Sequence, residues 1–362
     1  MGDSGHLKKA SRIVFSVFAA VLLVFIVYFV PLPYYIFKPG TAEVLAPMVH
    51  AKQAAGEDKG QFMLTTVQLS EVNIAGYLMS FVSPYQELRL KSELLKNNET
   101  REEYSQRQVI VMHTSQADAI QAAYNELKIP YHIRKDGIVV QQVYPEFPAS
   151  EVLRAGDYIT ELEGAPIQTY DEMRAVLQNK KAGDSVKVSY KRGDVTRTKD
   201  IALAVLPDQE KVEESAKRVG LGIVPAEVHS VQADRPEHQI DIQAGAIGGP
   251  SAGLMFSLEI MNRLSPEDLT KGHRIAGTGE IDPEGRVGVI GGIMHKVVAA
   301  DRAGAEIFFA PKDAQTAGGA VIPNYSAAVQ RAKEIGTSMK IVPVGTVKDA
   351  LSYLDTLEPK SS

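Results

Sequence analysis

A serine at the start of an apolar helix and a lysine in the first turn of another are the residues of this 362-residue sequence whose settings point to chemistry. Ser251 lies in QIDIQAGAIGGPSAGLMFSLEIMNRL, residues 239–264, which reads as an alternating strand, a Gly-rich turn and an apolar helix beginning at or just after the serine. Such a turn sets a small nucleophile among backbone N–H groups at the positive end of a helix, where they can hold an oxyanion. Gly248, Gly249, Ser251 and Ala252 are the natural donors. Lys296 lies in GTGEIDPEGRVGVIGGIMHKVVAADRAG, residues 277–304: a hairpin-like piece, the Gly291-Gly292 turn, then a helix from about Ile293 to Ala303 closed by Gly304. A lysine there feels the positive helix end. If it is also desolvated, its pKa falls to where a neutral amine can act as a base for serine.

Each residue has a plainer reading when taken alone. Ser251 could be a helix N-cap and Lys296 a solvated surface lysine. His273 and His295 would allow a Ser-His arrangement, but no carboxylate is placed by a motif to orient either imidazole. The PSAG turn could instead bind phosphate at a helix start. Other classes are set aside on composition. The chain has no cysteine, so disulfides, thiolate metal sites and a Cys nucleophile go together. Its eight histidines form no HExxH pair and no GxxxxGK[ST] loop occurs, so neither a metal centre, a cofactor nor an ATPase is expected. The net charge is -5 with no run of five or more Lys and Arg, which offers no nucleic-acid surface.

Several elements must position these groups. IVFSVFAAVLLVFIVYFV, residues 13–30, is uncharged and makes about 27 Å of helix at about 1.5 Å per residue, enough to span a bilayer. Lys8, Lys9 and Arg12 precede it and no basic residue follows until Lys38, so residues 1–12 are expected to be cytoplasmic and the rest outside. A cleaved signal peptide is the competing reading; the long apolar core and the lack of a small-x-small site in Pro31–Gly40 favour an anchor. Residues 31–60, punctuated by Pro31, Pro33, Pro39 and Gly40, read as a stalk. Residues 61–130 form an exterior segment with a strand-like FMLTTV at 62–67, a charged excursion at Leu88–Gln108 and a helix N-capped by Ser115 and stopped by Pro130.

From 131 to 206 short strands alternate with Gly-centred turns, as in GIVVQQV, DYITELEG and DSVKVSYKRGD, and Thr169 and Glu172 have capping-box spacing. SEVLRAGDYITELEGAPIQTYDEMRAVL resembles a PDZ domain. The resemblance implies that Lys135–Val140, with Gly137, Ile138, Val139 and Val140, supplies the edge to which a peptide adds as a strand, opposite a helix at Thr169–Gln178.

GPSAG, TGEI and GGxxxK followed by AAxRAG, in that order, resemble the proteolytic domain of Lon. That resemblance implies Ser251 as nucleophile, Lys296 as general base and Thr278 beside them. Anchor, PDZ domain and Lon-type domain together resemble the membrane-anchored Lon-like serine proteases of bacteria. The fold expected is α+β: a transmembrane helix, a PDZ-like domain, a Lon-type α/β domain at 207–356 and a polar tail at 357–362. Since FMLTTV looks like a core strand, the PDZ domain is expected to be inserted in a discontinuous protease domain. The function implied is ATP-independent cleavage of short secreted peptides or small membrane proteins at the outer face of a bacterial cell membrane. A tethered monomer and a homo-oligomer both stay open, as does a non-catalytic PDZ adaptor with a decayed protease domain.

Overall fold

The computed structural model describes residues 3–52, 59–95, 99–206, 218–245, 247–316 and 318–360. The chain divides into two units, Met1–Gly40 with Val67–Lys96, and Thr41–Thr66 with Asn97–Ser362.

The first unit begins with the helix Asp3–Phe29, whose stretch Arg12–Phe29 is long and apolar enough to cross a membrane and has no buried share. The first part of the expected stalk, residues 31–44, is regular structure. Pro31–Val44 is a strand, and within the first unit its residues Tyr34 to Phe37 pair antiparallel with Glu87–Leu90. On the side facing Glu87–Leu90 the prolines that suggested a stalk are tolerated, because Pro31 and Pro33 stand at the strand start and Pro39 lies beyond the residues paired there. A short helix, Ile74–Ser80, follows the strand Gln61–Asn73.

Two large sheets run through the second unit. In the first, strands run in the order Lys340–Val344, Ile307–Pro311, Arg274–Gly277 and then the leading residues of Gln61–Asn73. These pairings are parallel, with Ala276 opposite both Phe308 and Met63. Successive side chains point to opposite faces, so Phe62 and Leu64 pack with Leu254, Phe256 and Phe309 on one side, while Met63 and Phe308 pack with Val297, Ala300 and Ala328 on the other. Burial of both faces is what a parallel sheet covered by helices requires. The covering helices are Gly253–Leu264, Ile293–Arg302, Tyr325–Ile335 and Val347–Asp355.

The second sheet is antiparallel, in the order Ile223–Ala233, Tyr131–Val143, Tyr158–Leu162, Ser185–Arg192 and Val195–Ala202. Its core is Ile138, Val140, Ile159, Leu162, Val186 and Val188 under the helix Tyr170–Leu177, which Thr169 and Glu172 cap reciprocally. The sheet does not close within 131–206: its outermost strand, Ile223–Ala233, comes from the segment expected to belong to the Lon-type domain. Between the two sheets in sequence runs the long helix Arg101–Leu127. Its N-cap is Thr100, in a capping box with Glu103, and not Ser115, which sits buried in mid-helix. The charged excursion is therefore in part the first turns of this helix. In the polar tail, the Lys360 amide donates to the Lys271 carbonyl and Lys360 Nζ lies 2.6 Å from Glu306.

Candidate active site

The turn before Ser251 is shaped by Gly249, whose φ of +91° only glycine adopts readily. A 3₁₀ turn, Pro250–Ala252, carries the serine into the helix Gly253–Leu264. The TGEI segment clamps this turn: the Gly279 amide donates to the Ser251 carbonyl at 2.8 Å, Thr278 Oγ1 donates to the same oxygen at 2.8 Å, and the Leu254 amide donates to the Gly279 carbonyl at 3.1 Å. From the far side the long helix holds it as well. Ser115 Oγ donates to the Pro250 carbonyl at 2.9 Å, and the Gly249 amide donates to the Gln108 carbonyl at 2.9 Å.

That last bond corrects one expectation. The Gly249 N–H is already engaged, so it is not an oxyanion donor in this arrangement. Gly248, which is exposed, and the amides of Ser251 and Ala252 stand at the helix start, where a helix gives its first N–H groups no internal partner.

Lys296 reaches this turn from the fourth position of the helix Ile293–Arg302, which follows Gly292 in a left-handed conformation. Its Nζ is 2.7 Å from Ser251 Oγ, 2.9 Å from Thr278 Oγ1 and 2.9 Å from the Thr65 carbonyl oxygen. The lysine is 4 % exposed, Thr65 and Thr278 are buried, and Ser251 is half-buried, so the amine lies under a serine that solvent can reach. Burial pushes the Lys296 ammonium down from 10.5 to about 7, because an ion loses its hydration there without gaining a counter-charge. The structure thus brings together Ser251, Lys296, Thr278 and Ala252. Thr65 was missed as a site residue; FMLTTV was readable as a core strand, but a backbone carbonyl leaves no mark of its role in residue type. His273 is taken up elsewhere, by Glu306 Oε2 at 2.9 Å and the Glu358 carbonyl at 3.1 Å.

The peptide edge expected at Gly137, Ile138, Val139 and Val140 is also corrected. That strand is interior: Gly137 to Val140 pair with Val228 to Pro225 on one side, and Ile138 and Val139 pair with Ile159 and Tyr158 on the other. A strand paired on both edges has no backbone groups left for an added peptide. The sheet edge is Ile223–Ala233, and the turn Gly220-Leu221-Gly222 immediately before it was the readable signal. Gly222 has φ +71°, and a Cβ there would fall 1.9 Å from the Phe147 ring. Much of the edge is capped by the chain itself. Pro225 has no N–H and its carbonyl accepts from the Tyr170 hydroxyl, the Tyr170 amide donates to Glu227 Oε1 at 2.6 Å, and the Gln239 side chain bonds Val231 and Ala233. A cavity of about 610 Å³ adjoins this edge, lined by His113 and Gln116 of the long helix, by Val228 to Gln232 and by Ile240 to Ile242.

Two family models match the chain. Residues 110–203 match the PDZ domain family and residues 206–353 match the Lon protease (S16) C-terminal proteolytic domain. Lon protease of Campylobacter concisus is 30% identical over 178 residues, 46% of this chain and 20% of the relative. Lon protease of Mesomycoplasma hyopneumoniae is 32% identical over 117 residues, 32% of this chain and 12% of the relative. The chain therefore spans at most a fifth of the length of these curated relatives. Among solved structures, the PDZ domain of the SdrC-like protein from Listeria monocytogenes is 34% identical, covers 26% of this chain and 90% of that one, and has a TM-score of 0.23. The chain carries a PDZ domain joined to a Lon-type proteolytic domain, behind an N-terminal helix apolar enough to span a membrane.

Proposed function

We propose that this chain is a membrane-anchored, ATP-independent serine endopeptidase in which Ser251 is the nucleophile and Lys296 the general base. The observation that carries the reading is the set of three oxygens around Lys296 Nζ. A neutral amine has two N–H groups and one lone pair. The Thr65 carbonyl accepts one N–H, and Thr278 Oγ1 accepts the other while giving its own hydrogen to the Ser251 carbonyl. The lone pair is then left for the Ser251 hydroxyl, which is the arrangement a general base needs.

In the reaction, the Ser251 hydroxyl proton passes to Nζ as Oγ bonds to the substrate carbonyl carbon. The oxyanion is held by amides at the start of the Gly253–Leu264 helix, those of Ser251 and Ala252 with Gly248 beside them. As the peptide C–N bond breaks, the Lys296 ammonium returns its proton to the leaving amine. Water then repeats the sequence against the acyl-serine, with Lys296 again taking and returning one proton, and the acid departs.

The Arg12–Phe29 stretch, with Lys8 and Lys9 before it, supports an anchor with a cytoplasmic N-terminus and the catalytic part outside. Short secreted peptides or small membrane proteins are the substrates such a placement favours. The PDZ domain would engage them along Ile223–Ala233, and the adjoining cavity reaches Ile240–Ile242, the strand that leads into the nucleophile turn. Labelling of the full chain with a fluorophosphonate, followed by mass spectrometry, tests the nucleophile. An adduct on Ser251 that is lost in Lys296→Ala supports the reading, and labelling of a different serine contradicts it.

A further inference from the structure

The first unit contains an apolar surface beside the end of its long helix. No charged residue occurs between Glu71 and Glu87, in VNIAGYLMSFVSPYQ. Within this run Leu78, Met79, Phe81 and Val82 are 61%, 60%, 69% and 73% exposed. These four large side chains follow one another too closely to be the scattered apolar residues of an ordinary surface. Asn73 fixes where they sit. Its Oδ1 caps the Ile74–Ser80 helix by accepting from the Gly76 amide at 2.8 Å, and its Nδ2 donates to the Tyr28 carbonyl at 2.7 Å. Tyr28 lies in the last turn of the apolar helix, where carbonyls have no partner within the helix. One side chain thus ties the start of the short helix to the end of the apolar stretch. Rings continue the junction, with Tyr34 and Tyr77 at 5.6 Å and Tyr77 and Phe81 at 5.2 Å.

We propose that Ile74–Val82 rests on the lipid surface as a second membrane contact beside the spanning helix. The inference depends on the anchor reading above. If Arg12–Phe29 crosses the bilayer, a segment bonded to its last turn stands at the level of the headgroups, where Tyr and Phe side chains collect. There Leu78, Met79, Phe81 and Val82 enter the boundary by about 5–10 Å, as interfacial helices do. The occupant is lipid rather than a second copy because Asn73 ties the patch to the end of an apolar helix that, as a span, is already surrounded by acyl chains. Two contacts in place of one restrict rotation of the first unit about the span.

The chain has no tryptophan, so single substitutions report cleanly. The full chain would be reconstituted in phosphatidylcholine vesicles carrying lipids brominated at shallow or deep positions, with Phe81→Trp, Leu78→Trp, Phe25→Trp in the span and Val195→Trp on the exposed PDZ hairpin. The expected result is blue-shifted emission from Phe81→Trp and Leu78→Trp, quenched more by shallow than by deep bromine, deep quenching of Phe25→Trp and none of Val195→Trp. Solvent-like emission of both patch variants beside a lipid-quenched Phe25→Trp overturns this inference and leaves the anchor standing. A blue shift without lipid quenching means that protein covers the patch, and also overturns it. An unquenched Phe25→Trp refutes the anchor, and the inference falls with it.

Discussion

The carbonyl oxygen of Thr65 accepts from Lys296 Nζ at 2.9 Å, across 231 residues of sequence. Thr65 lies before the PDZ domain and Lys296 well after it, so both flanks of that domain build one site. The strand pairing says the same, with Gln61 to Leu64 lying parallel to Arg274 to Gly277. Thr65 Oγ1 also donates to the Gly277 carbonyl at 3.1 Å, which holds the strand end in register beside TGEI.

Activity should rise with pH. Burial lowers Lys296 to about 7, and only the neutral amine can take the Ser251 proton. The pH profile of kcat/KM is expected to climb with an apparent pKa near that value. Stability should follow the same sign. Between the folded value of about 7 and the unfolded value of 10.5 the unfolded chain binds the extra proton, so folding gains as pH rises through that window. Denaturation across the window should show the slope in wild type and a smaller one in Lys296→Met.

Thr278→Val removes the Oγ1 that accepts from Nζ and donates to the Ser251 carbonyl. The expected loss is about 10- to 100-fold in kcat with KM little changed, in keeping with hydrogen bonds worth about 1–3 kcal/mol. Thr278→Ser should keep most of the rate. Steady-state kinetics on the two variants checks this.

The contact between Ser251 and Lys296, the proposed dyad, was legible because three motifs occur in a fixed order, and each is a local pattern of glycines and one reactive side chain. What was not legible was made by tertiary pairing. Gly137 to Val140 reads as an edge strand until Ile223–Ala233 pairs with it, and nothing within Gly137 to Val140 itself announces that partner. Pro31 to Gly40 reads as a stalk because prolines signal breaks, yet they fall outside the residues that pair with Glu87–Leu90. Ser115 looks like an N-cap by type, although the Thr100 and Glu103 pair upstream had the stronger capping-box spacing.

Ser115→Ala should cost about 1–2 kcal/mol of stability by leaving the Pro250 carbonyl without its buried donor. It should also lower kcat, because Pro250 is the residue before Ser251, the proposed nucleophile. Thermal melts and turnover measured on one preparation separate the two effects.

Tyr170→Phe should open the PDZ edge. The hydroxyl caps the Pro225 carbonyl, and its removal frees that acceptor for an added peptide strand. Tighter binding of an extended substrate peptide by the full chain, seen as about a several-fold lower KM with kcat held, is the expected result. An unchanged KM would show that peptides do not use this edge.

The most direct test of the account is cleavage of small unfolded proteins and secreted peptides by the full chain in detergent, without ATP, for wild type, Ser251→Ala and Lys296→Ala. The account predicts cleavage by wild type and its loss in both variants, with melting curves showing that each stays folded. Near-normal cleavage by folded Lys296→Ala would contradict it, since some other group would then be taking the serine proton.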